Sequence, residues 1–253
     1  MNSIEVSLLV SACVFVAAIV GMNLHRVLPR THLTKDTQDV VRLGTGMVSV
    51  LASLVLGLLV ATAKSSYDTT DHSIRAYAAD IALLNETLRD YGKDASRPRD
   101  ALRQYTEQFL RNVWPKNREL SSELEINKAG TMLEHTREDI RALRPIDDGQ
   151  KWLLGQALDV STSLLRQRWQ LIEQSGPSIH SVVLEILVCW IVAIFISFGL
   201  NAPRNGTVVA GFLICSIAIG GSIFLILELD NPLSGILRIS SWPVENVLAQ
   251  MNW

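Results

Sequence analysis

The sequence predicts an all-α integral membrane protein with four transmembrane helices and a helical extramembrane bundle inserted between the second and the third. Three observations lead to this fold class. Of the 48 charged residues in the 253-residue chain, 35 lie between Lys64 and Glu173. Outside that stretch, four apolar segments each have the roughly 20 residues that a helix needs to cross a bilayer. Inside it, apolar residues recur with the period of an amphipathic helix and never alternate as in a strand.

The apolar segments are predicted to form two membrane hairpins. The four spans are expected at about residues 4–24, 44–63, 179–200 and 206–227. The first hairpin then occupies residues 1–64 and the second residues 179–230. The chain start carries Glu5 and no Lys or Arg, the opposite of the basic start of a cleaved signal peptide, so the first span is expected to be retained.

Residues 65–178 are predicted to form the helical bundle. No Pro or Gly lies between Gly57 and Gly92, so the second span is expected to continue as one helix of about 50 residues. Three more helices are predicted at about 96–115, at 120–143 with a possible break near Gly130, and at 147–174. Residues 231–253 are too short and interrupted to span, and they are expected to lie at the interface or to fold back toward the bundle.

Basic residues in the short loops predict the orientation of the chain in the membrane. The first link carries four basic residues, Arg26, Arg30, Lys35 and Arg42, and the link between the third and fourth spans carries Arg204. The positive-inside rule places both links in the cytoplasm. Both termini and the bundle are then predicted to lie outside.

The second span contains a row of small and hydroxyl residues at steps of four. Thr45, Ser49, Ser53 and Gly57 form this row, which either packs closely against another helix or lines a water-filled pathway. If the row lines a water-filled pathway, the candidate lining residues are its four members and Leu56. Leu56 and Leu59 beside it are predicted to form an apolar constriction that gates by dewetting.

Four charged residues near one membrane face are candidates for a pathway or for a structural collar. Glu185 lies inside the third span, where an acid facing lipid would cost several kcal/mol, and Lys64 is its suggested partner. Glu228 and Asp230 follow the fourth span, where acids oppose the helix dipole. They are interpreted either as a salt-bridged collar or as an acidic ring at a pore mouth.

Other classes of protein and site are excluded by composition. The five histidines and three cysteines have no metal-ligand spacing, and Cys13, Cys189 and Cys215 are interpreted as buried apolar residues. No catalytic grouping or phosphate loop is present, so neither an enzyme nor a cofactor is expected. The net charge of −2 and the absence of a Lys/Arg run argue against nucleic-acid binding.

Several long strings in the sequence resemble the bacterial bestrophin-like family of integral membrane proteins. They are RLGTGMVSVLASLVLGLLVATAKSSYD, RWQLIEQSG, WIVAIFISFGLNAPRNGT and ILELDNPLSGILRIS. The family is named for a distant likeness to bestrophins, pentameric anion channels whose long helices run from the membrane into a cytosolic domain. The resemblance therefore implies a cytosolic bundle, whereas the loop charges predict an outer one.

These observations lead to two functional hypotheses. The first is an oligomeric ion channel, a ring of copies in the lipid bilayer that passes small inorganic ions, anions by family analogy, along the second span. The alternative is a non-conducting membrane scaffold or sensor whose helical bundle binds a protein or ligand.

Overall fold

The computed structural model describes residues 2–24, 35–115, 123–174, 179, 181–233 and 235–251, and within these ranges every regular element is a helix. The helices are α1 (Ser3–Leu24), α2 (Lys35–Tyr91), α3 (Ser96–Val113), α4 (Glu123–Arg141), α5 (Asp148–Gln174), α6 (Ser181–Asn201), α7 (Gly206–Asp230) and α8 (Trp242–Gln250). Four of them, α1, α2, α6 and α7, are long and apolar enough to cross a membrane. The predicted helical class and span count are thus confirmed.

The predicted continuation of the second span into one long helix is also confirmed. Helix α2 has 57 residues and begins nine residues before the predicted span, so Lys35 and Arg42 belong to this helix and not to the preceding link. Gly92 ends it with φ of +108°, a conformation that glycine adopts readily. Arg26 and Arg30 of the link, and residues 120–122 of the third predicted helix, lie outside the described residues.

The chain divides into two compact units. Unit 1 comprises Met1–Tyr67 and Pro177–Leu237, and unit 2 comprises Asp68–Gly176 and Arg238–Trp253. Helix α2 contributes residues to both. The division also separates the C-terminal segment, because residues 231–237 group with unit 1 and α8 groups with unit 2.

Unit 1 is built around α1, which packs against α6 and α7 through glycines. A Cβ atom at Gly21 would overlap the carbonyl oxygen of Ile196, and one at Gly199 would overlap that of Ala18. About two turns before Ala18 on α1, a Cβ at Gly220 of α7 would lie 2.8 Å from the Ser11 side chain. Small residues allow membrane helices to approach until their backbones touch. The row of small residues predicted such a seam on the second span, and this one was not predicted.

Unit 2 has an apolar core that encloses a pair of tyrosines. Tyr77 of α2 and Tyr105 of α3 are fully buried and their hydroxyl groups form a hydrogen bond. Burial raises the pKa of Tyr105 to about 12, so this hydroxyl stays protonated at neutral pH. The indole of Trp114 donates a hydrogen bond to the carbonyl oxygen of Ile239 at 2.9 Å, which joins the segment before α8 to the end of α3.

The predicted break near Gly130 does not occur. Helix α4 runs through this residue without interruption. A Cβ atom at Gly130 would lie 2.8 Å from the guanidinium of Arg168, which is buried. The glycine thus makes room for a buried arginine, a packing requirement that helix propensity cannot reveal.

Replacing Gly199 by alanine should destabilise unit 1, because the added methyl group forces α1 and α6 apart. Overpacking of this kind costs about 1–3 kcal/mol. The matched control is Gly211→Ala on α7, where an added Cβ meets nothing within 4 Å and the gain in helix propensity is the same. Thermal unfolding in mild detergent, followed by size exclusion, should show a lower Tm for G199A than for G211A. Equal melting temperatures would contradict the proposed close contact.

Candidate functional site

The predicted row on α2 does not form a single face. Each step of four residues turns a helix by about 40°, so Thr45 and Gly57 point about 120° apart. The Thr45 hydroxyl lies 2.8 Å from that of Ser197 on α6, and Ser49 donates to the Thr45 carbonyl oxygen. Thr45 and Ser49 at the start of the row are therefore partly covered by the same chain, whereas Ser53 and Gly57 are exposed.

A second row of residues on α2 does lie along one exposed face. Gly46, Ser53, Gly57 and Lys64 follow at steps of 7, 4 and 7, which places them within about 40° of one another around the helix. All four are exposed, and Cβ atoms at the two glycines would meet nothing within 4 Å. We call these four residues the small-residue face.

The constriction predicted beside the row is wrong for Leu59. This residue is 8% exposed and belongs to the core of unit 1, and Leu56 packs partly against the same core. Counting forward at steps of three or four selects neighbours along a helix, but it does not reveal which side faces the other spans. In the described part of α2, bulky positions on the exposed side of the helix include Val50, Leu54 and Leu58.

The membrane segment of α2 is the least covered of the four. Within its most apolar 18 residues 17% are buried, against 22–28% in the other three spans. The exposed positions occupy about half of the helix circumference. Since the other spans of unit 1 pack against the opposite side, this half is available to another molecule, to lipid or to water.

Lys64 lies at the end of the charge-free part of α2, with an aromatic ring beneath it. Its ammonium nitrogen lies 5.3 Å from the centre of the Tyr67 ring, within the range of a cation–π interaction. Tyr67 is half-buried and packs against the core of unit 1. The lysine is exposed, so its charge is held near a fixed ring while still reaching the surface.

Glu185 is exposed on α6 in the isolated chain. It lies six residues, or about 9 Å, before the middle of this helix, and exposed Val182 and Ile186 flank it. It forms no hydrogen bond or ion pair with any described residue, so the suggested pair with Lys64 is not among the contacts of this part of the chain. Contact of an ionised carboxylate with lipid at this depth would be costly.

Glu228 has a different environment from the one that its sequence position suggested. It is buried at 3% exposure, and its carboxylate accepts hydrogen bonds from the backbone N–H groups of Ile236 at 2.6 Å and Leu237 at 3.1 Å. Charge-assisted bonds to backbone N–H groups offset the cost of an acid at a helix C-terminus. Asp230 is also buried. For Glu228, backbone amides therefore supply hydrogen bonds that the predicted salt-bridged collar would take from a basic side chain.

The backbone reaches Glu228 only because residue 235 is a glycine. Gly235 has φ of +94°, and a Cβ atom there would lie 2.6 Å from a carboxylate oxygen of Glu228. The side-chain amide of Asn231 donates to the Leu227 carbonyl oxygen at 3.0 Å and caps the end of α7. We call residues 228–237, held together by these bonds, the C-terminal clasp. It comprises most of the ILELDNPLSGILRIS string.

The sequence of this chain matches one protein family over most of its length. The model of the Bestrophin-like domain matches residues 11–244, which is nearly the whole chain. The chain belongs to the Bestrophin-like family. The resemblance seen in the sequence is thereby confirmed. No curated protein matches the chain.

Crystal structures of bacterial bestrophin homologs share the fold of this Bestrophin-like chain. Three structures of single-residue variants of a bestrophin homolog from Klebsiella pneumoniae match with TM-scores of 0.73, 0.69 and 0.68 at 13%, 15% and 14% identity. In the first match the alignment covers 99% of this chain and 97% of the homolog, and in the third 99% and 98%. In the second match the alignment also covers 99% of this chain and 98% of the homolog.

The remaining chemistry-bearing residues of the Bestrophin-like chain are dispersed. Among the described residues, no three His, Cys, Asp or Glu side chains form a group that could hold a metal ion. The expectation that the cysteines are buried is wrong for the single chain, because Cys13, Cys189 and Cys215 are all exposed. A membrane span is apolar all round, so its sequence does not distinguish inward from outward positions.

Replacing Gly235 by alanine should open the C-terminal clasp. The substitution combines positive-φ strain, a cost of about 1–3 kcal/mol, with a collision against the Glu228 carboxylate. Gly92→Ala is the matched control, because its φ is also positive but an added Cβ there meets nothing within 4 Å. Limited digestion with trypsin at the exposed Arg238 should be several-fold faster in G235A than in G92A or the wild type. Equal cleavage rates would contradict the role given to the clasp.

Proposed function

We propose that this Bestrophin-like chain forms a homo-oligomeric ion channel in the bacterial inner membrane, with the small-residue face of α2 lining the pathway. The observation that carries the proposal is the surface of α2, where hydroxyl and glycine positions are exposed on the same helix as large apolar ones and none of the described helices covers them. A ring of copies would bring these surfaces together around one axis. Ser53 and Gly57 are the pathway candidates that stand on this face.

Anions are the proposed ions, and two placements of acids support this choice. Family analogy alone supports function weakly. The carboxylate of Glu228 is buried and bound by backbone N–H groups, so it is not a free acidic group at a mouth. Glu185 lies on α6 and not on the helix that we propose to line the pathway. We propose that a neighbouring copy or water covers its side chain.

In the proposed arrangement α1, α2, α6 and α7 cross the bilayer, and the helices of unit 2 form a bundle outside the membrane, inserted between the second and third spans. The loop charges favour an outer bundle with both termini outside, because Arg204 lies in the short link that would then face the cytoplasm. Bestrophins place the corresponding domain in the cytosol. The orientation is therefore open to a direct test.

Single cysteines should resolve the orientation. In a background where Cys13, Cys189 and Cys215 are replaced by alanine, we expect an impermeant maleimide to label Lys151→Cys in α5 on intact cells. Thr207→Cys, at the start of α7, should be labelled only after the membrane is permeabilised. Both positions are exposed in the structure. Labelling of the second and not the first on intact cells would place the bundle in the cytosol.

A non-conducting scaffold or sensor is the second candidate, and the surface of unit 2 favours it. Trp152 is 66% exposed, Trp169 is 61% exposed and Ile146 is 83% exposed. Tryptophan is enriched among the residues that dominate binding energy at protein interfaces. A partner bound to this surface would give unit 2 a function that does not require the protein to conduct ions.

Ser53→Leu tests the pathway on α2. If Ser53 lines the pathway, the bulky apolar side chain should reduce single-channel conductance in planar bilayers to a small fraction, because an apolar constriction dewets. The control is Thr62→Leu, which makes the same hydroxyl-to-leucine change at an exposed position nine residues away, on the opposite side of the helix. T62L should conduct normally.

Other outcomes distinguish the competing interpretations. Dissociation of S53L to monomers in detergent would show that the small-residue face is a packing seam. An intact oligomer with unchanged conductance would show that α2 does not line the pathway. Wild-type protein that carries no current would favour the scaffold or sensor.

A further inference from the structure

We propose that residues 235–237 of the C-terminal clasp form a lipid-anchoring loop, which places the side chains of Ile236 and Leu237 among the acyl chains at the membrane–water boundary. The bilayer leaflet at the end of α7 is the partner of this surface. The inference needs only the membrane spans of unit 1, so it does not depend on whether the chain conducts ions. Of the two positions expected for residues 231–253, it assigns the interface to residues 236 and 237.

The depth of the loop follows from its hydrogen bonds to α7. The carboxylate of Glu228 accepts from the backbone N–H groups of Ile236 at 2.6 Å and Leu237 at 3.1 Å, and Glu228 lies two residues before the end of α7. The uncharged part of α7, residues 206–227, is about 33 Å long. The hydrocarbon core of a bilayer is about 30 Å thick. Glu228 therefore lies at the edge of the hydrocarbon, and the loop that returns to it lies at the same depth.

The two side chains at this depth are apolar and exposed. Ile236 is 64% exposed and Leu237 is 40% exposed. Leu225, three residues before Glu228, is also exposed, so the apolar surface of the span extends into its last turns. Short segments that lie at the membrane–water boundary gain affinity from the apolar area that they bury among the acyl chains. Contact with lipid is therefore more favourable for Ile236 and Leu237 than contact with water.

The backbone of the loop is adapted to the same environment. Residues 235–237 are not helical. At membrane depth, non-helical backbone is tolerated only where its polar groups have partners, because lipid supplies none. The buried carboxylate of Glu228 is the acceptor for two of these N–H groups, and Gly235 permits the approach through its positive φ and its missing Cβ. The loop thus presents two apolar side chains while two polar backbone groups are satisfied from within the chain.

Depth-dependent fluorescence quenching tests the lipid-anchoring loop. In the cysteine-free background, Ile236→Cys is labelled with bimane and reconstituted into phosphatidylcholine nanodiscs, which leave both membrane faces open to solvent. We expect lipid with a nitroxide near the headgroup to quench the label several-fold more than lipid with a nitroxide near the chain end. Aqueous iodide should have little effect. Lys151→Cys, exposed on α5, is the control and should be quenched by iodide and by neither lipid.

Glu228→Met tests the positioning role of the carboxylate. The substitution removes both acceptors and keeps a side chain of similar length. The label at residue 236 should then lose most of its quenching by lipid and become accessible to iodide. Glu134→Met makes the same change at an exposed position of α4 and should leave the label unchanged. If E228M does not fold, G235A compared with G92A provides the same test, because only G235A brings a Cβ against the carboxylate.

Each remaining outcome would overturn part of the proposal. Quenching at residue 236 by iodide and not by lipid would show that the loop lies in water. Protection from both quenchers would show that protein covers the residue, and cross-linking of I236C between copies by a short bismaleimide would identify that protein as a second copy. Equal lipid quenching in the wild type, E228M and G235A would refute the role of Glu228. Wild-type protein that carries no current would refute the channel and leave this inference standing.

Discussion

The backbone contact of α1 with α6, at Gly21 and Gly199, determines the arrangement of unit 1. Lipid tails are as apolar as leucine, so spans associate by close packing rather than by escaping water. Gly199 of α6 and Gly220 of α7 face α1, and the helix is covered where they meet it. Because α6 and α7 make their closest contacts with α1, the membrane segment of α2 remains the least covered of the four. The surface available for a pathway is thus a consequence of packing elsewhere.

Helix α2 contributes buried residues to the cores of both units. In unit 1 it contributes Ala52 and Leu59 to the core shared with the other spans. In unit 2 the same helix contributes Tyr77 and Ile81, both fully buried. An uninterrupted helix transmits rotation and translation between its ends more directly than a loop does.

Local patterns in the sequence were sufficient to predict the elements of the fold but not their faces. Hydropathy and the position of Gly92 depend on near neighbours along the chain, and they predicted the four spans and the end of the long helix. The direction of Leu59 depends on which helices pack around it, which an apolar sequence does not encode. The partners of Glu228 were missed for a related reason, since they are backbone groups of Ile236 and Leu237, which no side-chain pattern identifies.

The C-terminal clasp also has a consequence for biosynthesis. The carboxylate of Glu228 precedes both of its backbone donors in the chain, so it cannot be satisfied until Ile236 and Leu237 have left the ribosome. Helix α7 has already been synthesised by then. The hydrogen bonds that hold Glu228 therefore form only after α7 is complete. A chain that stopped just after α7 would keep all four spans and lack these hydrogen bonds.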